Sequence, residues 1–214
     1  MSISTASSMA SVPQPPTIYI VRHGETEWNM QERFQGKLDS PLTDNGIQQA
    51  QNKAIFFNTC LPIDRIYCSP LGRAQATAAI LAQALKCPIE TVESLYEIDM
   101  GDFGGMKISE MKEIYRVWYH RRNKRKPFVP FPNGESYFDV YLRIRSFIST
   151  IMKKKQRIII VAHEGINRIL RGIIIGESLH ESVKWRQGHN QIFEVRPQRE
   201  ILHTLDKNGW KIHP

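Results

Sequence analysis

The chain has 214 residues, of which 41% are hydrophobic, and a formal net charge of +8, so it is long enough to bury the core of one globular domain. No apolar run approaches the roughly 20 residues that a membrane-spanning helix needs, which excludes that class of protein. Three cysteines without a C-x-x-C pair argue against structural zinc and favour a reducing, cytoplasmic compartment.

The first sixteen residues, MSISTASSMASVPQPP, are rich in Ser, Ala and Pro and carry no charge. Such a segment buries too little apolar surface to offset the entropy of ordering it. It also lacks the basic start and apolar stretch of a secretory signal. We predict a disordered tail over residues 1–16 and a single domain over residues 17–214.

Strand-like and helix-like segments alternate from residue 17 onward, which is typical of an α/β protein with a parallel sheet. Strands are predicted over residues 17–23, 64–69, 88–92 (an edge strand), 157–163, 191–197 and 200–206. Helices are predicted over residues 42–58, from Pro70 to Leu85, over residues 109–120 and 135–155, and after residue 163.

The first long helix has a start signal and an apolar face. Thr43 is a suitable N-cap, because its hydroxyl accepts hydrogen bonds from the unpaired amides of the first turn. The helical spacing predicts one buried stripe, formed by Ile47, Ala50, Ala54 and Ile55. In the next helix, Pro70 is expected in the first turn, where the missing amide costs little.

Polar residues with catalytic potential follow three of the predicted strands. They are Arg22 and His23, then Ser69 with Arg73 one helical turn later, and then His163. Ligands bind at the carboxyl ends of the strands in open α/β sheets, so these segments are expected to meet in one crevice. Glu97, in the loop YEIDMGDFGG, adds a carboxyl group.

This set of residue types suits phosphoryl transfer. Two guanidinium groups grip phosphate oxygens, and a neutral imidazole is a recognised covalent nucleophile. A carboxylic acid protonates the departing alkoxide, and a second histidine, if protonated, adds positive charge in the transition state. Among the other histidines, His189, His203 and His213 lie in no motif.

The segment RHGETEWN, residues 22–29, resembles the signature of the histidine phosphatase superfamily, in its phosphoglycerate mutase-like branch. The similarity continues in the family's order through QGKLDSPLTDNGIQQA, SPLGRAQATA, NGES and VAHEG. It therefore covers the chain from about residue 17 to at least residue 163. The resemblance implies a three-layer α/β/α sandwich around a mainly parallel sheet.

The resemblance also implies the roles of single residues. His23 is then the nucleophile that becomes phosphohistidine, and Glu97 is the proton donor. Arg22, Arg73 and His163 form the phosphate pocket, to which Asn29 adds a hydrogen bond. No metal ion and no cofactor is implied, because arginine and histidine supply the positive charge.

Two positions depart from the family's pattern. Many broad-acting members carry aromatic-Glu-Gly after the proton donor, whereas this chain has Phe103-Gly104-Gly105. The residue after the second histidine is commonly small, whereas here it is Glu164. An anion at that place repels a phosphate unless it points away or pairs with a cation.

The basic residues are concentrated in two runs, residues 121–126 and 153–157. Such runs most often form a solvated face. Nucleic-acid binding is disfavoured, because neither run is interleaved with stacking aromatic residues. The first run lies in a segment over residues 107–132 that we expect to cover the active-site mouth. The basic side chains of this segment then favour a substrate that carries a negative group in addition to its phosphate. These side chains are His120, Arg121, Arg122, Lys124, Arg125 and Lys126.

The sequence thus predicts a metal-independent phosphomonoesterase whose partner is a small phosphorylated metabolite. A phosphoglycerate mutase is the first alternative, and a non-catalytic binding protein on the same scaffold is the second. Mutases that resemble this chain carry a longer segment between the proton donor and the second histidine. Here the separation is 163 − 97 = 66 residues, so the resemblance favours the phosphatase. A homodimer is left open.

Overall fold

The structure, a computed structural model, describes residues 15–59 and 62–213, apart from the side chains of Asn123 and Lys124. The predicted tail over residues 1–16 lies almost entirely outside the described residues, and so does Cys60. Across the described part of the chain, no helix is long and apolar enough to cross a membrane.

One mixed sheet organises the described residues. Its strands are Thr17–Arg22 (β1), Arg65–Cys68 (β2), Ile89–Thr91 (β3), Arg157–Ala162 (β4), Gln191–Arg196 (β5), Arg199–Asp206 (β6) and Gly209–His213 (β7). Their order across the sheet is β3-β2-β4-β1-β5-β6-β7. The strands from β3 to β1 are parallel, whereas β5, β6 and β7 pair antiparallel.

Helices cover both faces of this sheet. They are Glu27–Met30 (α1), Asp44–Asn58 (α2), Gly72–Leu85 (α3), Ile108–Ile114 (α4), Arg116–Lys124 (α5), Tyr137–Ile151 (α6), Glu164–Ile175 (α7) and Leu179–Ser182 (α8). Helices α2 and α3 pack on one face, and α6 and α7 pack on the other. The predicted three-layer α/β/α sandwich is confirmed.

The strands that carry the site are buried on both sides. In β4, for example, Ile158 and Ile160 belong to the core under α6 and α7, whereas Ile159 and Val161 belong to the core under α2 and α3. Successive side chains of a strand point to opposite faces. A continuous run of β-branched residues therefore fits a strand between two helical layers.

The buried stripe predicted for α2 is wrong at two positions. Thr43 caps the helix as expected, since its Oγ1 accepts from the amide of Gly46 at 3.0 Å. Ile47 and Ile55, however, are 39% and 62% exposed. The buried face instead includes Gln49 and Lys53, because this face also lies against the polar loop after β1.

The remaining differences concern element ends and the last strands. Helix α3 begins at Gly72, so Pro70 precedes the helix instead of lying in its first turn. The helix predicted over residues 109–120 is two helices, α4 and α5, interrupted at Tyr115. Strand β7 was not predicted. With it, the sheet is parallel only in the half that carries the site.

Candidate active site

Three neighbouring parallel strands end at one place in the structure. Strand β4 lies between β2 and β1, and its register pairs Cys68 with Val161 and Arg22 with Ala162. The residues that follow these strand ends are His23, Ser69 and His163. The three segments that the sequence singled out are therefore adjacent.

His23 is held as a neutral imidazole. Only 3% of the residue is exposed, and its Nδ1–H donates a 2.7 Å hydrogen bond to the carbonyl oxygen of Gly24. The neutral ring therefore carries its lone pair at Nε2. Burial lowers the pKa of His23 well below its usual range, and neighbouring His163 and Arg73 lower it further. An uncharged imidazole with a free lone pair is the form that a covalent nucleophile requires.

His163 is fully buried beside His23. Its ring centroid lies 5.1 Å from that of His23, and its Nε2 lies 2.7 Å from Ser69 Oγ. Its Nδ1 has no hydrogen-bond partner among the described residues. Burial, followed by the charges of Arg73 and Arg22, lowers the pKa of His163 well below its usual range. A bound phosphate supplies the opposite charge that favours the imidazolium.

Two arginines near His23 are held by hydrogen bonds to backbone carbonyls, and one of them also by a carboxylate. Arg73 donates to the carbonyl oxygens of Gly36 and Leu38, at 2.9 and 2.7 Å, and to the carboxylate of Asp39 at 2.9 Å. Arg22 Nη1 donates to a backbone carbonyl at 2.8 Å. In both guanidinium groups, Nε has no partner within the described residues. Each arginine therefore keeps a donor for an anion.

Glu97 is anchored at the N-terminus of α7. Its Oε1 accepts from the amides of Ile98 and Ile166, at 2.8 and 3.1 Å, and its Oε2 accepts from the amide of Gly165 at 3.0 Å. Since a carboxylate has about four acceptor positions, one position on Oε2 remains. A Cβ atom on Gly165 would lie 2.5 Å from Glu97 Oε1, so only glycine permits this approach.

Asn29 combines a structural bond with a place in the cavity wall. Its Oδ1 accepts from the amide and the hydroxyl of Thr26, both at 3.0 Å, which forms the reciprocal cap of α1. The cap uses the amide oxygen, so the Nδ2 donors are the part of the side chain that suits a phosphate oxygen.

Glu164 is neutralised by arginines. Its Oε1 lies 2.5 Å from Arg168 Nη2 and 3.7 Å from Arg186 Nη1, and its Oε2 lies 3.8 Å from Arg22 Nη1. The sequence left open whether this carboxylate points away or pairs with a cation. It pairs with three.

One cavity of about 370 Å³ joins these groups. His23, Asn29 and Glu97 line it, whereas His163 lies behind the described wall residues, against the ring of His23. Its cationic lining is formed by Arg22, Arg33, Arg73, Lys112, Arg122, Lys126, Arg168 and Arg186. Within the described residues, no group of three His, Cys, Asp or Glu side chains is arranged to hold a metal ion.

The segment over residues 107–132 contributes to the cavity, but with fewer cations than predicted. Of the six, Arg122 and Lys126 line the wall. The side chains of His120, Arg121 and Arg125 are exposed and do not line it, and that of Lys124 lies outside the described residues. Within α5, Arg122 faces the cavity whereas His120 and Arg121 do not, because positions one and two apart face different sides of a helix.

Sequence reasoning missed two residues before β5. His189 Nδ1–H donates to the carbonyl oxygen of His23 at 2.8 Å, and the carbonyl oxygen of Gln187 accepts from Arg22 at 2.8 Å. Neither residue lies in a motif. The available signal was topological: β5 runs antiparallel to β1, so the residues that enter β5 lie where β1 ends.

Comparison with known proteins gives a consistent result. The chain is 36% identical to a protein named probable phosphoglycerate mutase GpmB from Proteus mirabilis, over 91% of this chain and 90% of that one. It is 33% identical to phosphoserine phosphatase 1 from Hydrogenobacter thermophilus, over 88% and 91% of the two chains. Its fold matches the crystal structure of a putative alpha-ribazole-5'-P phosphatase from Escherichia coli, with a TM-score of 0.75, 23% identity and coverage of 94% and 95%.

The model of one family matches residues 18–207, which span every strand from β1 to β6 and all the site residues described above. The chain belongs to the histidine phosphatase superfamily (branch 1).

Proposed function

We propose that the protein is a metal-independent phosphomonoesterase that hydrolyses a small phosphorylated metabolite. The observation that carries this proposal is the state of His23. Its Nδ1–H is committed to the Gly24 carbonyl, so the lone pair at Nε2 belongs to the cavity that Arg22 and Arg73 line. A neutral nucleophile between two fixed cations suits attack on a phosphate ester.

In the first half of the reaction, His23 Nε2 attacks phosphorus and a P–N bond forms while the ester P–O bond breaks. Glu97, entering as the carboxylic acid, gives its proton to the departing alkoxide. Arg22 and Arg73 bind the equatorial oxygens through their uncommitted donors. The products of this half are the alcohol and phosphohistidine.

In the second half, the Glu97 carboxylate takes a proton from a water molecule as the water oxygen attacks phosphorus. The P–N bond breaks, inorganic phosphate leaves, and His23 recovers its lone pair. Glu97 is again the carboxylic acid, so protons and electrons balance over the cycle.

The test is phosphate release from a panel of phosphorylated metabolites in EDTA. We expect release by the native protein and by the His213→Ala control, whose histidine is exposed on β7, and none by His23→Ala. Acid-labile phosphate on the native protein after rapid quenching would identify the phosphohistidine. EDTA-sensitive release, or release that survives in His23→Ala, would overturn the proposal.

A mutase is the alternative favoured by the name of the relative from Proteus mirabilis. It uses the same phosphohistidine but returns the phosphoryl group to an organic acceptor. Hydrolysis is supported by the name of the relative from Hydrogenobacter thermophilus. Isomerisation of phosphoglycerate without release of free phosphate would favour the mutase. If neither phosphate release nor isomerisation were detected, a binding protein would be favoured.

The substrate that we propose carries a second anionic group. Arg122 is 8% exposed and packs 4.3 Å from the ring of Phe131, yet its Nε and Nη2 have no partner among the described residues. A buried guanidinium with unused donors is unfavourable until an anion binds it. Lys126 lies in the same wall, and burial together with the charges of Arg168 and Arg122 lowers its pKa to about 8.

Neighbouring arginines provide a matched test of this substrate class. Because a hydrogen bond to a charged group contributes about 1.5–3 kcal/mol, Arg122→Gln should raise KM about tenfold or more for phosphate esters that carry a carboxylate or a second phosphate. It should leave KM nearly unchanged for neutral phosphate esters. Arg121→Gln is the control, since Arg121 is exposed outside the cavity. Equal effects on both ester classes would contradict a second anion site.

A further inference from the structure

The peptide that joins His23 to Gly24 is held at both of its polar atoms. The carbonyl oxygen of His23 accepts from His189 Nδ1–H at 2.8 Å. The amide of Gly24 donates to Thr77 Oγ1 at 3.0 Å, and Thr77 Oγ1–H in turn donates to the carbonyl of Arg73 at 2.8 Å. These bonds come from opposite ends of the peptide and fix the orientation of its plane.

That orientation governs the nucleophile. The next carbonyl along the chain, that of Gly24, accepts the Nδ1–H of His23 at 2.7 Å. If the His23–Gly24 peptide turned, the Gly24 carbonyl would move away from the imidazole. The ring would then lose the acceptor that keeps its proton on Nδ1 and its lone pair on Nε2.

His189 reaches this peptide from a short, well-anchored loop of residues 187–189. The side chain of Gln187 donates to the carbonyl of Ile20 at 2.8 Å, and its backbone carbonyl accepts from Arg22 at 2.8 Å. The ring of His189 also packs edge-on against that of His23, with centroids 5.6 Å apart. One loop therefore contacts both the nucleophile and a phosphate-binding arginine.

We infer that His189 is a positioning residue for His23: its Nδ1–H fixes the His23–Gly24 peptide and, through it, the tautomer in which Nε2 is the nucleophile. The inference rests on the proposed function of His23. His189 does not line the cavity in the described structure, so it acts through His23 and not on the substrate. Burial lowers the pKa of His189 to about 3, so the ring supplies its donor without adding a positive charge.

Three substitutions at His189 test whether the hydrogen-bond donor must lie at the position of Nδ1, or whether any donor in the side chain is sufficient. The Nδ2 of asparagine lies as many bonds from Cβ as the Nδ1 of histidine, whereas the terminal amide of glutamine lies one bond further. We expect His189→Ala and His189→Gln to lower kcat by about tenfold to a hundredfold, with KM changed by less than about threefold. His189→Asn should recover most of kcat, and His213→Ala is the control histidine.

The second readout is the ¹⁵N NMR signature of the His23 ring, which does not depend on turnover. In the native protein and in His189→Asn we expect protonated Nδ1 and unprotonated Nε2, and in His189→Ala a mixture of tautomers. Loss of the fold in His189→Ala leaves the comparison of Asn with Gln intact.

The outcomes distinguish the two proposals. An inactive native protein with the expected His23 tautomer would overturn the proposed function and keep the inference. If the native protein is active, two results would overturn the inference. One is that His189→Ala keeps its kcat and the His23 tautomer, and the other is that His189→Gln restores kcat as well as His189→Asn does.

Discussion

Burial determines which side chains of this site carry charge. The pKa values of His23 and His163 lie well below the usual range of histidine, and those of His189 and Lys53 are lowered to about 3 and about 7, in each case chiefly by burial. Guanidinium groups do not lose their proton in proteins. The positive charge around His23 therefore resides on arginines, which keep it at any pH at which the fold survives.

Lys53 gives a stability prediction at the residue scale. It is 1% exposed, and within the described residues its Nζ has one hydrogen-bond partner, the carbonyl of Arg22 at 3.5 Å. Its pKa falls from 10.5 in the unfolded chain to about 7 in the native protein. The unfolded chain therefore binds the extra proton between these values, so native stability rises with pH from about 7 to about 10.5.

Lys53→Met removes this proton linkage. At pH 7 we expect the variant to have a higher free energy of unfolding, by up to about 4 kcal/mol, and the two proteins to converge as the pH approaches 10.5. Urea denaturation at pH 7 and pH 10 measures both values. Lys207→Met, at an exposed position, should leave the pH dependence as it is. An unchanged slope in Lys53→Met would contradict the prediction.

At the scale of elements, the N-terminus of α7 performs two functions. Its first amides hold Glu97, and its N-cap residue is His163. The helix thus places Glu97, which we propose as the proton donor, and His163, which we propose for the phosphate pocket, with one structural feature. The unpaired amides and the helix dipole make this end a suitable site for a carboxylate.

Gly165→Ala tests this arrangement. The new Cβ would lie 2.5 Å from Glu97 Oε1 and 3.0 Å from Ile98 Cγ2, so Glu97 must move. General acid catalysis contributes about 10²–10⁴-fold, and it matters most when the leaving group is a poor one. We therefore expect kcat/KM, which reports transfer to His23 and not the later hydrolysis, to fall steeply for an alkyl phosphate and much less for p-nitrophenyl phosphate.

Glu97→Gln should reproduce that dependence on the leaving group, and thermal unfolding checks that Gly165→Ala remains folded. Alanine has a higher helix propensity than glycine, so the substitution should stabilise α7 itself. Equal losses for both esters in a folded Gly165→Ala protein would argue against Glu97 as the proton donor.

The sequence predicted the elements of this site better than their buried faces. Thr43 identified the start of α2 because a cap is a local interaction within four residues. Periodicity misassigned Ile47 and Ile55, since the partners of Gln49 and Lys53 come from a distant loop: Gln49 accepts from the amide of Glu25 at 2.8 Å. A polar residue with a distant partner is indistinguishable in sequence from a solvated one.

At the scale of the whole molecule, the order of strands in the sheet could not be predicted from the sequence. The three strand-end motifs predicted that His23, Ser69 and His163 converge, because parallel strands end at one edge of the sheet. The reversal at β5 carries no local signal, although it delivers Gln187 and His189 to the same edge. Pairing partners in a sheet are set by packing over the entire chain.

The charge of the whole molecule predicts how the rate depends on salt. A net charge of +8 and the cationic lining of the cavity attract anionic substrates over distances of about 10 Å at 0.1 M salt. Between about 0.05 and 0.5 M KCl, kcat/KM for a doubly anionic ester should fall about threefold to tenfold, while kcat stays constant. A flat kcat/KM would contradict steering by the cavity charges.

The loop after His23 contacts the start of α2 backbone to backbone. A Cβ atom on Gly24 would lie 2.3 Å from the carbonyl oxygen of Gly46, and one on Gly46 would lie 2.1 Å from that of Glu25. Neither glycine has a left-handed φ, so the constraint is one of space. In a random mutant library selected for function, we therefore expect both positions to remain glycine, although Gly46 lies outside the cavity wall. No second substitution can make room, because the clash is between two main chains.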